Sequence, residues 1–177
     1  MAGDHAWHET DAVSIERVGS QAAALLSNLL ELYIHDMSEV FPVTIGPDGR
    51  FGYEKLALYW SEPDVRQAFL IRCGGEIAGF ALVTRGSPAT DDPDDLDVAE
   101  FFVLRRHRRN GVGGRAAGQL WDRVRGNWVV RVSEANRAGL DFWRGVVREY
   151  AGGRCAETTR PGQPHGWNVF TFASRAS

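Results

Sequence analysis

The sequence predicts a mixed α/β domain of the α+β kind, and three observations carry that prediction. Segments with period-two apolar alternation and segments with a 3.6-residue apolar stripe follow one another along the chain. Near the middle, an apolar run from Val98 to Leu104 enters a basic, glycine-rich turn, Arg108-Arg109-Asn110-Gly111-Val112-Gly113-Gly114, and an amphipathic stretch leads out of it. The 177 residues are enough for one domain with a substantial core, and no linker is long enough to divide them.

In chain order, residues 1–11 read as a flexible extension, and residues 13–18 alternate as a short strand. Ser20 is placed to cap a helix over about 21–37, whose apolar stripe is Leu25, Leu26, Leu29, Tyr33 and Met37. Pro42, Gly46, Pro47 and Gly49 make 41–51 a loop, with a second short helix inside 53–60. Residues 66–73 and 76–85 are strands around the hairpin signal Gly74-Gly75. An acidic loop, 86–96, leads to the strand 97–104 and to a helix over 112–124. A strand at 127–133, a helix at 136–150 and two strands near 154–160 and 166–173 complete the order, the last pair parted by Pro161-Gly162.

Composition narrows the class. No apolar run reaches the ~18 residues of a membrane span, and the acidic start does not read as a signal peptide. The expectation is a cytoplasmic protein, with no membrane partner and with a homodimer compatible. Cys73 and Cys155 have neither disulfide-framework nor metal-ligand spacing, and Cys73 reads as a small core residue. The five histidines are scattered, so no metal is expected. The net charge of −3 divides unevenly: residues 1–100 hold 6 Lys/Arg against 18 Asp/Glu, and residues 101–177 hold 14 Arg against 5 Asp/Glu. An acidic half suits a cationic partner and a basic half an anionic one. The overall acidity and the lack of an aromatic-basic stripe argue against nucleic acid.

The turn is a phosphate site in its residue types. Glycines admit a ligand to the backbone, the first N–H groups of the helix are unpaired, and Arg105, Arg106, Arg108 and Arg109 add charge. No Lys-Ser or Lys-Thr follows the glycines, which excludes a P-loop, and the glycine spacing excludes a dinucleotide fingerprint. The segment resembles the acyl-CoA-binding motif of the GNAT superfamily of N-acetyltransferases, Arg/Gln-x-x-Gly-x-Gly/Ala, with Arg108, Gly111 and Gly113 in its fixed places. A second signature of that superfamily, Asn-x-x-Ala-x-x-Phe-Tyr, resembles 136–143, where Asn136 and Phe142 match, Gly139 stands for Ala and Trp143 for Tyr. The stretches 29–36 and 49–53 also look like a subgroup of predicted acetyltransferases.

The resemblance covers essentially the whole chain. It implies a mixed, mostly antiparallel sheet with helices on both faces, and acyl-CoA lying between a splayed fourth and fifth strand. It implies backbone bonds from Phe102, Val103 and Leu104 to the pantetheine arm. Arg108, Arg109, Asn110, Gly111, Val112, Gly113 and Gly114 would cradle the pyrophosphate. Asn136 would reach the pantetheine amides or else cap its helix; Phe142 would line the cofactor, and Trp143 would wall the acyl group. The implied reaction moves an acetyl group from acetyl-CoA to a primary amine, of a small molecule or of a protein, by direct transfer. A non-catalytic acyl-CoA-binding module is the alternative.

For the chemistry itself, Glu100 interrupts an apolar strand on a face expected to be shared with Val98 and Phe102. Burial raises a carboxyl pKa, as a general base near neutral pH requires. The competing reading bonds Glu100 to a neighbour such as Arg131, and Asp97 is the alternative base, expected at a solvated loop end. Trp143 offers no acid for the leaving thiolate, which leaves Tyr150, Tyr33 or water. A step of about 100° per residue puts Asp36 on the apolar face of the first helix with Tyr33. There it would receive an amine together with Tyr53, unless the helix has already ended. His165 and Trp167 would border the mouth.

Overall fold

The computed structural model describes residues 12–175, so the extension expected at 1–11 lies outside the described residues. Seven strands form one sheet in the order β1-β2-β3-β4-β5-β7-β6. They are β1 (Val13–Val18), β2 (Arg66–Cys73), β3 (Glu76–Arg85), β4 (Leu96–Val103), β5 (Asn127–Ser133), β6 (Cys155–Arg160) and β7 (Trp167–Ala173). Every pairing is antiparallel except β4 with β5. The helices are α1 (Ala23–Met37), α2 (Leu58–Ser61), α3 (Val112–Arg123) and α4 (Arg137–Ala151). None of them is long and apolar enough to cross a membrane.

Two cores separate the layers. On one face Phe80, Leu82 and Phe102 pack against Leu26, Leu29 and Leu30 of α1 and Tyr59 of α2. On the other, Val98, Val130 and Phe170 pack with Trp121 of α3 and Trp143 and Val147 of α4, and Cys73 is buried there as expected. Period-two alternation points successive residues of each strand to opposite faces.

Element boundaries shift by a residue or two from the sequence reading. Ser20 does not cap α1: it opens a 3-10 turn, Ser20–Ala22, and makes no side-chain cap bond. β4 ends at Val103 rather than Leu104, whose N–H donates to Ala78 O at 2.8 Å.

Two irregularities in β4 position the site. Leu82 pairs with Glu100 but Val83 pairs with Val98, so Ala99 is an extra residue, a β-bulge. Because of it Glu100 and Phe102 face α1, while Val98 faces α3 and α4. The sequence expectation that all three share one face is corrected on this point. The second irregularity is the β4–β5 joint. Only Leu96–Trp128, Asp97–Val129 and Val98–Val130 pair, after which β4 runs on to Val103 and β5 to Ser133 unpaired with each other.

Candidate acyl-transfer site

The opening between β4 and β5 leads, at the end of β4, into a 3-10 turn, Arg105–His107, and then into α3. Gly111 is the N-cap residue of α3 at φ +72°, a conformation that favours glycine. Arg109 also lies in the left-handed region, at φ +64°. The first helical bond runs from Arg115 N–H to Gly111 O, so the N–H groups of Val112, Gly113 and Gly114 precede the ladder and point out of the helix end. Arg105, Arg109 and Asn110 are exposed around them. These features fit a diphosphate.

The other members of the proposed cofactor set have protein partners. A Cβ on Gly113 would stand 3.0 Å from the Phe142 ring and 3.6 Å from Val103 Cγ2. Glycine there lets α3 seat on α4. Asn136 accepts the Gly139 N–H at 2.9 Å, which is the capping alternative. An added Cβ at Gly139 would fall 2.5 Å from the Asn136 amide nitrogen, so a larger residue there would have to shift the capping side chain. Trp143 is a core residue, 5.0 Å from the Phe101 ring centroid, 4.9 Å from Phe142 and 6.1 Å from Trp121. Phe102 buries its side chain against α1, and Leu104 has its N–H on Ala78 O, so a bond from Leu104 to a pantetheine arm would fall to its carbonyl. Arg108 is exposed like its neighbours, but its side chain folds back along β4. Its Nε donates to Val103 O at 2.6 Å, its Nη2 to Asp36 at 2.5 Å, and its guanidinium carbon lies 5.4 Å from the Phe102 ring centroid.

On the α1 side the structure brings together three residues that the sequence singled out. Tyr33 donates its hydroxyl to Glu100 Oε2 at 2.6 Å, and Tyr53 donates to Glu100 Oε1 at 2.9 Å. Burial pushes the Glu100 carboxyl above the ordinary carboxylate range, against the opposing pull of both hydroxyls and of Arg131. Burial and the neighbouring carboxylate likewise push the Tyr33 and Tyr53 hydroxyls up, so both stay protonated as donors. Of the three proton sources weighed for a thiolate, Tyr150 is excluded: its hydroxyl bonds Asp122 at 2.7 Å near the C-terminal end of α4.

Asp97 is not a solvated loop end. It is fully buried, takes Arg131 Nε and Nη2 at 2.8 and 2.9 Å, and accepts the Ser87 hydroxyl at 2.5 Å. Arg131 therefore hydrogen-bonds Asp97 and not Glu100, and full burial puts Asp97 out of an amine's reach, whereas Glu100 is only partly buried. Arg131 also lies 5.7 Å from the Trp167 ring centroid, and Trp167 stacks on Phe41 at 5.9 Å. This ties β5 and β7 to the loop after α1. Asp36 lies within α1, so the alternative that the helix had ended is excluded. Its oxygens take Arg105 Nη2 at 2.8 Å and Arg108 Nη2 at 2.5 Å. Burial opposes ionisation there, but the two guanidiniums outweigh it and hold the carboxyl below its usual value.

Sequence reasoning missed Glu31. It accepts the N–H groups of Phe51 and Gly52 at 2.7 and 3.0 Å and the Arg50 side chain at 3.4 Å, which fixes the chain just before Tyr53. Its place on a helix carried no signal of a loop partner twenty residues away.

The sheet parts beside an arginine-flanked helix end, with a half-buried carboxylate on one lip, in a seven-stranded, mostly antiparallel fold. Solved structures share that fold. An acetyltransferase of the GNAT family from Streptococcus agalactiae matches with TM-score 0.69 at 11% identity, over 93% of this chain and 96% of its own. One from Thermus thermophilus gives 0.62 at 16% identity, over 92% and 97%. A ribosomal L7/L12 alpha-N-protein acetyltransferase in complex with coenzyme A gives 0.62 at 13%, over 93% and 95%. At these identities the likeness is one of fold, and no curated protein matches the sequence. The family model for the acetyltransferase (GNAT) family matches residues 26–146, and the chain belongs to that family.

Proposed function

We propose that this acetyltransferase moves an acetyl group from acetyl-CoA to the primary amine of a small molecule, by direct transfer with both substrates bound. The observation that carries this reading is Glu100. It is a carboxylate with a raised pKa, held by two tyrosine hydroxyls on the lip where β4 leaves β5. Acetyl-CoA supplies the activated acyl thioester. The N–H groups of Val112, Gly113 and Gly114, with Arg109 and Arg105 beside them, would hold its diphosphate.

Glu100 takes the proton that the amine must lose before its nitrogen can bond to the acyl carbon. Tyr33 and Tyr53 orient that carboxylate; the raised pKa of Tyr33 makes it a poor source of a proton for the departing thiolate, which is left to water. The Asp97–Arg131 pair holds β4 against β5 at the last point where they meet. Phe41, Trp167, Tyr33 and Tyr53 would give the acceptor side an aromatic border beside the Glu100 carboxyl, suited to an ammonium-bearing molecule.

The test is release of CoA thiol from acetyl-CoA across a panel of small amines and peptide N-termini. Amine-dependent release with small amines supports the reading, and preference for the peptides moves the acceptor to proteins. A chain that binds acetyl-CoA yet releases no thiol with any amine is a binding module, and the reading fails.

A further inference from the structure

The residue that the CoA-binding motif places first, Arg108, has a side chain 41% exposed, yet that side chain bonds back across three elements. One nitrogen closes a ring back to Val103 O, a second binds Asp36 on α1, and the guanidinium plane lies near the Phe102 ring. Asp36 answers with a side chain only 12% exposed, and its other oxygen holds Arg105. The Asp36 charge is thus met by two guanidiniums, which argues against the amine-anchoring role expected from the sequence. One turn earlier on the same helix, Tyr33 holds Glu100.

We propose that Asp36 and Arg108 are a positioning pair that fixes the end of β4 and the direction in which the chain enters the glycine turn. Acyl-CoA affinity then depends on a carboxylate that never meets the cofactor. The inference rests on the reading of this turn as the acetyl-CoA site. It differs in sign from a direct role for the Arg108 charge. If Arg108 acted as a cation on phosphate, lysine would serve in its place, and neutralising Asp36 would release the arginines and tighten binding. If the pair acts as a brace, lysine fails, because it has no planar fork to reach Val103 O and Asp36 together. Neutralising Asp36 then weakens binding.

The experiment uses the full chain with Asp36→Asn, Arg108→Lys and the double variant. Acetyl-CoA affinity is measured by calorimetry, KM and kcat by thiol release, and stability by melting temperature. The expected result is a loss of about tenfold in acetyl-CoA affinity in each single variant, with the double variant little worse than either, as for residues acting through one shared contact. KM for acetyl-CoA rises with affinity loss while kcat changes much less. Wild-type affinity in Arg108→Lys, or tighter binding in Asp36→Asn, overturns the pair. So does a lowered melting temperature with unchanged affinity, which would make the contact purely structural. Failure of the wild-type chain itself to bind acetyl-CoA instead overturns the reading of the turn, and this role with it.

Discussion

Glu100 reaches the α1 side of the sheet because of a single extra residue, Ala99, and its chemistry follows from what it meets there. Replacing it with glutamine keeps shape and hydrogen bonding but removes the proton acceptor. Turnover is expected to fall about 100-fold, with acetyl-CoA affinity unchanged, and the rising limb of the rate-versus-pH profile is expected to vanish. Stability gives an independent reading. The folded state holds the Glu100 proton more tightly than the unfolded chain does. The stabilisation from that proton is full below the unfolded carboxylate value and is lost as pH rises through the raised folded value. Glu100→Gln stays neutral throughout, so its melting temperature gains on the wild type across that window and runs parallel outside it. A gap constant with pH would deny the shift. Gly111 and Gly113 separate in the same way. Valine at 111 strains a left-handed backbone by about 1–2 kcal/mol next to open space, so the loss is felt chiefly in acetyl-CoA binding. At 113 valine meets Phe142, and unfolding free energy is expected to fall by about 1–3 kcal/mol as for an overpacked core, read as a lower melting temperature. The sequence made Glu100, Tyr33 and Tyr53 legible through residue type and helix face. It could not reveal that Asp97, rather than Glu100, captures Arg131, since that choice depends on which strands lie side by side.

At the scale of elements, most strands and helices were readable from local periodicity, and their ends were off by a residue or so. What local pattern could not supply was the bulge in β4 or its parallel joint to β5, because both are properties of register between distant segments. Nor could it supply the clip by which Glu31 of α1 fastens the chain at Phe51 and Gly52 and so sets Tyr53 against Glu100. The close approach of β3 to the end of β4 is a further case. A Cβ on Gly79 would lie 1.9 Å from Phe102 O, so only glycine permits the backbone to pass. Gly79→Ala is expected to push the end of β4 away. The loss in unfolding free energy is expected to be about 1–3 kcal/mol, as for other overpacked sites, and to be visible in denaturant titration. An unchanged midpoint would mean that the strand end yields freely.

Across the whole molecule, the charge division read from the sequence lies along the fold. The acidic first hundred residues build β1 to β3, both helices of the Glu100 side and most of β4. The basic remainder supplies the turn, α3, α4 and the last three strands. The fold thus sets a carboxylate-rich body beside an arginine-rich one, with the proposed exchange of acyl group and proton along their boundary.

That boundary is held, within the sheet, by the three register pairs from Leu96–Trp128 to Val98–Val130. Two antiparallel ribbons, each with long ladders of its own, are stitched by a seam shorter than either, and local opening selects regions with the fewest backbone bonds. Hydrogen exchange in the ligand-free protein is therefore expected to be slow in β2, β3, β5 and β7. It is expected to be fast at those amides of residues 99–103 that face the gap instead of β3. Adding acetyl-CoA is expected to slow that second group selectively, as an inserted chain takes the place of the missing strand. Equal protection on both edges of β4 before any ligand is added would show that the seam extends further than its three pairs.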